Sequence, residues 1–152
     1  MTHMMLAVEI RRPTEYDLPA IERLLTASSL PLDGVRESLP SFVLAEAGDS
    51  IVGVAGLEVC CNNALLRSVA VDPAWRNQGI GRLLVTRVIA DAESRGIHAL
   101  YLLTTSAERY FPGFGFREIA RDEVPEDVRT TAEFQGACPA SATVMTRPVA
   151  RP

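Results

Sequence analysis

The segment Val69–Arg82 holds the residues whose types and spacing point most directly to chemistry. An apolar run is stopped by a proline, and a helical pattern starts again through Gly79 and Gly81. Glycine lets the backbone come close to an anion, and the first N–H groups of a helix stabilise negative charge. Arg76 and Arg82 add positive charge on the two sides of the glycines. The segment therefore predicts a loop that binds a ligand phosphate.

Two widespread phosphate-binding motifs do not fit this segment. A dinucleotide site needs G-x-G-x-x-G and an acidic residue about twenty positions later, but the later region reads Ala99-Leu100-Tyr101. A phosphate-loop NTPase needs Gly-Lys-Ser/Thr, and this chain has no lysine, since all fifteen basic residues are arginine. What remains is the shorter pattern Arg/Gln-x-x-Gly-x-Gly/Ala.

Composition and charge exclude several classes of function. With 152 residues, 47% of them hydrophobic and 22% charged, the chain is expected to be one domain, 1–152, with an ordered core from about 8 to 147. The net charge of -4 argues against a nucleic-acid partner. No apolar run reaches the roughly twenty residues of a membrane span. We therefore expect neither nucleic acid nor membrane as a partner.

Cysteine and histidine usage argues against a metal centre. Cys60, Cys61 and Cys138 are odd in number and lack C-x-x-C spacing, and no secretion leader is evident, so we expect a cytoplasmic protein. Three thiols could bind a soft metal, but free cysteine is more often a small buried residue. Two histidines without ligand spacing predict no metal and no Ser/His/Asp triad.

The secondary-structure pattern places the phosphate loop between a strand and a helix. The loop helix has an apolar face at helical spacing and stops at Gly96, and a nearly continuous apolar strand follows it. Strand, helix and strand at this length imply a right-handed parallel crossover, which puts the loop at the carboxyl end of the first strand. The predicted strands are 8–12, 41–47, 51–61, 64–71 and 97–104, and the predicted helices run from 14 to 27 and from 80 to 95.

The loop pattern resembles the acetyl-coenzyme A pyrophosphate loop of the GNAT N-acetyltransferases. The resemblance extends in the family's order from 8 to 147, with the first strand and helix near 10–21, the third strand near 51–58, and the fourth helix and its turn near 107–116. It implies an α/β fold, in which helices flank a mixed central sheet with a splayed parallel strand pair, and acetyl-CoA as co-substrate. The cofactor-binding residues implied by it are Val69, Ala70, Val71, Arg76, Asn77, Gln78, Gly79, Ile80, Gly81 and Arg82.

Acetylation of an amine needs a neutral amine, a polarised thioester carbonyl and a proton for the leaving thiolate. We expect the backbone N–H of Val69 to polarise the carbonyl, because it is fixed before the reaction. Glu58 could deprotonate the amine through water, or it could simply be paired with an arginine. Many relatives place a general-acid tyrosine where this chain has Phe111, and the neighbouring Tyr110 is expected to be a core aromatic instead.

The acceptor is predicted from arginines and hydroxyl groups. Arg67 and Arg129 suit a carboxylate, phosphinate or arsonate, although single arginines more often pair with surface carboxylates. Ser68, Thr104 and Ser141 would add hydroxyl groups. The segments around these residues resemble a GNAT branch found with arsenic-resistance operons, which is itself similar to the acetyltransferase domain of N-acetylglutamate synthase.

The resemblance implies direct attack by a small acidic amino compound in a ternary complex with acetyl-CoA. Acetylation of a protein N-terminus or an amine drug is the alternative among enzymes. A non-catalytic acyl-CoA sensor is the alternative outside enzymes, and a homodimer is left open.

Overall fold

A seven-stranded mixed sheet forms the centre of the molecule in the computed structural model, which describes residues 7–137 and 141–149. The strands are β1 (Val8–Arg11), β2 (Phe42–Ala47), β3 (Ser50–Cys60), β4 (Asn63–Val71), β5 (Ala99–Thr104), β6 (Arg117–Ile119) and β7 (Thr143–Pro148). Their spatial order is β1-β2-β3-β4-β5-β7-β6, and only β4 and β5 run parallel. This is the predicted mixed sheet, and the fold class is confirmed.

Helices cover the sheet. They are α1 (Leu18–Ala27), α2 (Val35–Ser38), α3 (Ile80–Ser94) and α4 (Glu126–Arg129). The α1 helix buries Leu18, Ile21, Leu24 and Leu25, which recur at helical spacing, in a cluster with Phe42 and Leu44 of β2. The α3 helix packs Leu84, Val85 and Val88 into the larger core cluster that β2, β3, β4 and β5 share.

The parallel pair separates halfway along its length. The β4 and β5 strands are in register only from Asn63 opposite Ala99 to Leu65 opposite Tyr101. Beyond that point, in the part of the chain that the structure describes, β4 has a pairing partner on its β3 side alone. The predicted splay is therefore present, and it opens a cleft toward the start of α3.

A β-bulge bends β4 beside this opening. The pairing with β3 jumps from Val54 opposite Ala70 to Gly56 opposite Arg67, which leaves two residues of β4 opposite one of β3. Ser68, inside the bulge, has a positive φ of 60°. Bulges of this kind are frequent next to active sites, where they redirect side chains. The sequence does not signal this one, because a serine occupies the strained position.

The segment after β5 differs from the expectation. The resemblance predicts a fourth helix near 107–116, whereas the structure has a turn followed by a short 3-10 helix, Phe111–Phe114. Pro112 and the left-handed Gly115 leave room for one such turn only. Among the described residues, no helix is long and apolar enough to cross a membrane.

Candidate active site

A cleft of about 600 Å³ lies between the splayed halves of β4 and β5. One end, which we call the loop end, is formed by Arg76, Gly81 and Tyr110. The other, which we call the buried end, is formed by Arg67, Ser68 and Glu133. Between them the walls are residues 66–71 of β4, residues 102–107 at and after the end of β5, and residues 27–31 after α1.

The loop end is built from exposed backbone. Gly79 precedes α3 with a φ of 83°, and Asn77 also has a positive φ, so the loop turns sharply before the helix starts. The first N–H groups of the 15-residue α3 helix have no partner within the helix, and they carry the positive end of its dipole. Nothing lies within 4 Å of a Cβ placed on Gly79. This end therefore has the donors and the open space that an anionic group needs.

Arginines of the loop end are exposed and partly held in place. The Arg76 guanidinium donates from Nε to the Val71 carbonyl at 3.1 Å, which fixes its side chain against the end of β4. The Arg82 guanidinium lies 5.7 Å from the centre of the Phe114 ring, in a cation–π contact. Both side chains keep further N–H groups for an anion such as a pyrophosphate.

Tyr110 and Phe111 differ from expectation in their burial. Both residues line the cleft, but Phe111 is only 7% exposed and packs edge-on against Phe116, whereas Tyr110 is 45% exposed. A Cβ placed on Gly81 would lie 3.2 Å from the Tyr110 hydroxyl oxygen. The expectation that Tyr110 is a core aromatic is therefore wrong, because the short 3-10 turn directs Phe111 inward and Tyr110 toward the loop end. Partial burial raises the pKa of the Tyr110 phenol.

The middle of the cleft is lined by the free edge of β4. Val69, Ala70 and Val71 all contribute to its wall, opposite the end of β5. Their backbone groups on this side lie beyond the paired part of β4 and β5. Thr104 lies at the cleft, and its Oγ1 accepts the Ala107 N–H at 2.9 Å, which shapes the turn after β5. This geometry can receive an extended chain that continues the hydrogen-bonding of β4.

An arginine with no exposed side-chain surface organises the buried end. The Arg67 guanidinium donates from Nη1 to Glu58 Oε1 at 3.0 Å, from Nη2 to the Pro31 carbonyl at 3.3 Å, and from Nε to Ser68 Oγ at 3.1 Å. Glu58 Oε2 in turn accepts the Ala132 N–H at 2.6 Å. Arg67 thereby joins β4, β3, the segment after α1 and the segment before β7.

Close packing around Gly34 completes this network. Gly34 has a φ of 79°, and a Cβ placed on it would lie 2.8 Å from Ala132 Cβ and 3.2 Å from Arg67 Nη1. The first distance is shorter than packed atoms allow, and positive φ strains residues other than glycine. Only glycine fits at this position without displacing its neighbours.

Glu133 is the second carboxylate of the buried end, and it is not among the site residues predicted from the sequence. It is 3% exposed, its Oε1 lies 3.8 Å from Arg67 Nε, and its Oε2 accepts no hydrogen bond from any described residue. Burial, opposed by Arg67 and reinforced by the charge of Glu58, raises the pKa of Glu133 to about 7. The site thus holds a carboxyl group that changes charge near neutral pH.

Several predicted site residues lie elsewhere. Glu58 does not line the cleft, and both of its oxygens accept hydrogen bonds, so the alternative of an arginine-paired carboxylate describes its position. Arg129 is exposed on α4, away from the cleft lining, and its carbonyl accepts the Gln135 side-chain amide. Ser141 is exposed next to the undescribed residues 138–140. The structure therefore brings Arg67, Ser68 and Thr104 together, but not Arg129 or Ser141.

The two cysteines that the structure describes, Cys60 and Cys61, are not core residues. Cys60 is half-buried and Cys61 is exposed, with the two sulfur atoms 3.6 Å apart at the turn between β3 and β4. The neighbouring Cys60 raises the pKa of the Cys61 thiol. Cys138 lies outside the described residues, and within 7–137 and 141–149 no group of three or more metal-binding side chains is found. The expectation of buried cysteines is thus wrong for Cys61, because a turn carries it to the surface.

Comparison with known proteins identifies the fold and the chemistry. Residues 39–118 match the profile of the acetyltransferase (GNAT) domain. The chain is 32% identical over 129 residues to the amino-acid acetyltransferase of Mycobacterium tuberculosis, a match that covers 78% of this chain and 74% of the relative. It is 27% identical over 138 residues to the amino-acid acetyltransferase of Escherichia coli, covering 85% of this chain but 31% of that protein.

Solved structures agree with this relationship. N-acetylglutamate synthase from Neisseria gonorrhoeae, complexed with coenzyme A and N-acetyl-glutamate, superposes with a TM-score of 0.81 at 25% identity, over 95% of this chain and 36% of that one. Rv2747 from Mycobacterium tuberculosis, solved in complex with CoA and NLQ, has a TM-score of 0.79 at 26% identity, over 93% of this chain and 99% of that one. The chain spans about a third of the Escherichia coli and Neisseria gonorrhoeae proteins.

These similarities confirm three predictions made from the sequence. The fold is that of the GNAT acetyltransferases, the protein is an acetyltransferase, and acetyl-CoA is its co-substrate. The similarity to a branch found with arsenic-resistance operons stays a prediction.

Proposed function

Because the chain belongs to the GNAT acetyltransferase family, we propose that it transfers the acetyl group of acetyl-CoA to the amine of a small acidic amino acid or of a close analogue. The pyrophosphate binds at the loop end, to the backbone of residues 76–82 and the guanidinium groups of Arg76 and Arg82. The pantetheine arm continues along Val69, Ala70 and Val71. The acceptor enters from the buried end, beside Arg67, Ser68 and Thr104.

The transfer proceeds by direct attack in a ternary complex. The Val69 N–H donates to the thioester oxygen and stabilises the negative charge that develops there, at no cost in reorganisation. The acceptor nitrogen attacks the carbonyl carbon, the C–N bond forms, and the C–S bond then breaks. A covalent acetyl-cysteine route is disfavoured, because the two described cysteines lie at the turn between β3 and β4 and not in the cleft lining.

The observation that carries the acidic acceptor is the buried Arg67 in the cleft wall. Three of the five N–H groups of its guanidinium have the partners described above, and the planar fork suits a carboxylate or its phosphorus or arsenic analogue. Two relatives support this choice by their names, as amino-acid acetyltransferases, and one by its complex with N-acetyl-glutamate.

The biological setting belongs to the same proposal. The cytoplasmic location is proposed from the cysteine usage, and a part in arsenic resistance is implied by the sequence resemblance. The latter makes phosphinic and arsinic analogues of glutamate candidates beside glutamate itself. A homodimer is left open.

Thiol release from acetyl-CoA tests the proposal with a panel of acceptors. L-glutamate, its phosphinic analogue phosphinothricin and its arsinic analogue represent acidic acceptors, L-glutamine and L-alanine neutral ones, spermidine a polyamine, and an alanine-starting peptide a protein N-terminus. We expect at least one acidic acceptor to have a kcat/KM about tenfold or more above all the others, the scale of one charge-assisted contact of roughly 1.5 to 3 kcal/mol. A preference for spermidine or the peptide contradicts the acidic acceptor and leaves the acetyltransferase assignment intact.

A further inference from the structure

We propose that Glu133, and not Glu58, is the catalytic base, and that its free carboxylate oxygen holds the acceptor ammonium and removes its proton. This inference rests on the transfer of acetyl to an amine in this cleft, and not on the acidity of the acceptor. Glu133 is the one described carboxylate that lines the cleft.

Glu133 has a buried carboxylate oxygen that lacks a hydrogen-bond donor among the described residues. It lies in the wall at the buried end, and Oε2 accepts no hydrogen bond from any described residue. A buried polar atom without a partner destabilises the fold, and where it is retained it calls for an explanation. An ammonium group in the cleft would satisfy it with a charge-assisted hydrogen bond.

Glu58 cannot take this role in the observed arrangement. Its Oε1 accepts from Arg67, and its Oε2 accepts from the Ala132 N–H. Glu58 thus neutralises Arg67 and anchors the segment that carries Glu133 one residue later. Glu58 is therefore a positioning residue. Glu133 is the carboxylate with an oxygen free to accept a proton.

The charge environment suits proton transfer near neutral pH. The charged groups that face Glu133 are Arg67 from β4 and Glu58 from β3, and the other titratable groups of the described cleft lining are Arg76 and Tyr110 at the loop end. Burial outweighs the attraction of Arg67, so the pKa of Glu133 rises to about 7. A base with a pKa near the working pH combines the correct ionisation state with a useful driving force.

The protons and electrons of the reaction balance with this assignment. The acceptor ammonium gives one proton to Glu133 Oε2, and the freed lone pair of nitrogen forms the bond to the thioester carbonyl carbon. The C–S bond breaks with its electron pair on sulfur. The second proton leaves nitrogen for this thiolate, giving amide and free thiol, and Glu133 returns its proton to solvent.

Glu133→Gln tests the proposal, because it preserves the size of the side chain and removes the base. The matched control is Glu118→Gln, on the exposed surface of β6. The acceptor is whichever compound of the panel the wild type acetylates best, so a wrong acceptor class leaves this test valid. We expect kcat/KM to fall by about a hundredfold or more in Glu133→Gln, the scale of general-base catalysis. Glu118→Gln and the acetyl-CoA affinity of both variants should stay near the wild type.

The pH profile separates a base from a structural carboxylate. In the wild type, kcat/KM should fall below an apparent pKa near 7, at the same pH for that acceptor and for an analogue of it whose amine is less basic. Glu133→Asp should retain part of the rate and the same fall of kcat/KM at low pH. Glu133→Gln should lack this fall. Glu133→Gln activity within about threefold of the wild type overturns the proposal, and so does a low-pH limb near 7 that moves with the basicity of the amine.

Discussion

The two ends of the cleft bind by different means. The loop end consists mainly of backbone donors around the exposed Gly79 and the half-buried Gly81, and apart from Tyr110 it comes from one continuous segment, 76–82. The buried end depends on the side chains of Glu58 and Arg67, from the neighbouring strands β3 and β4, and of Glu133, from a distant segment. A phosphate site built from backbone N–H groups can be predicted from the glycines in the sequence. A site built from packed charged side chains cannot, because folding brings those side chains together.

The largest expected effect tests the loop end. Gly81→Asp places a carboxylate where the pyrophosphate approaches, and like charges in contact cost several kcal/mol, so acetyl-CoA affinity should fall by about a hundredfold or more. The helix itself should tolerate the change, because an acidic side chain in the first turn of α3 is favourable. Isothermal calorimetry measures the affinity, and Gly113→Asp, at a position with nothing within 4 Å of an added Cβ, is the control. Wild-type affinity in Gly81→Asp contradicts the loop assignment.

The next effect tests the buried end and separates two arginines that the sequence treats alike. Arg67→Ala leaves the half-buried Glu58 without its arginine, and removing one member of a fully buried pair costs about 3 to 5 kcal/mol of stability, so the loss here should not exceed that range. Acceptor kcat/KM should also fall by about tenfold or more, as for one lost charged contact of roughly 1.5 to 3 kcal/mol, while acetyl-CoA affinity changes little.

Lysine at position 67 should rescue this loss only in part, because it lacks the planar fork. Arg129→Ala should resemble the exposed Arg117→Ala in both unfolding and acceptor kinetics. A loss in Arg129→Ala as large as that in Arg67→Ala would show that Arg129 reaches the acceptor after all.

These differences show how far the sequence alone can go. Gly79 and Gly81 predict the loop, and the apolar periodicity of 80–95 predicts its helix almost to the residue. The splayed pair follows from the family resemblance, but the bulge does not, since Ser68 at positive φ gives no signal of its own. The role of Glu133 could not be predicted from the sequence for another reason. Its burial depends on contacts with residues more than sixty positions away.

A smaller effect concerns stability against pH and again distinguishes the buried end. Below the ordinary pKa of 4.5, Glu133 is protonated in both folded and unfolded chains. Between 4.5 and about 7 the unfolded chain loses this proton and the folded one keeps it, so the free energy of unfolding falls with rising pH, by about 3 kcal/mol in all. Above 7 the penalty stays constant.

Glu133→Gln should remove this contribution. Urea unfolding at pH 5 and pH 8 checks it, with Glu118→Gln retaining the wild-type decline. An equal decline in wild type and Glu133→Gln means that Glu133 ionises normally in the folded protein.

The smallest effect returns to the loop end. The Tyr110 hydroxyl lies near Gly81 at the loop end, whereas Glu133 lies at the buried end of the cleft. Tyr110→Phe therefore removes at most one neutral hydrogen bond to the cofactor. We expect the KM for acetyl-CoA to rise by about two- to tenfold, from roughly 0.5 to 1.5 kcal/mol, with kcat within a few-fold of the wild type. Tyr16→Phe, at a side chain 95% exposed, is the control for steady-state kinetics. A fall in kcat of about a hundredfold would instead identify Tyr110 as the general acid.

The contact of Gly34 with Ala132 has a consequence for the order in which the protein matures. Contacts close in sequence form early, and those that join distant segments form late. As the chain leaves the ribosome, the strand, loop and helix of 63–94 can assemble once they have emerged. The contacts of Gly34 and Glu58 with Ala132, and of Arg67 with Glu133, must wait until residues 132 and 133 have been synthesised. The nascent chain can therefore form the loop end of the cleft before it completes the buried end.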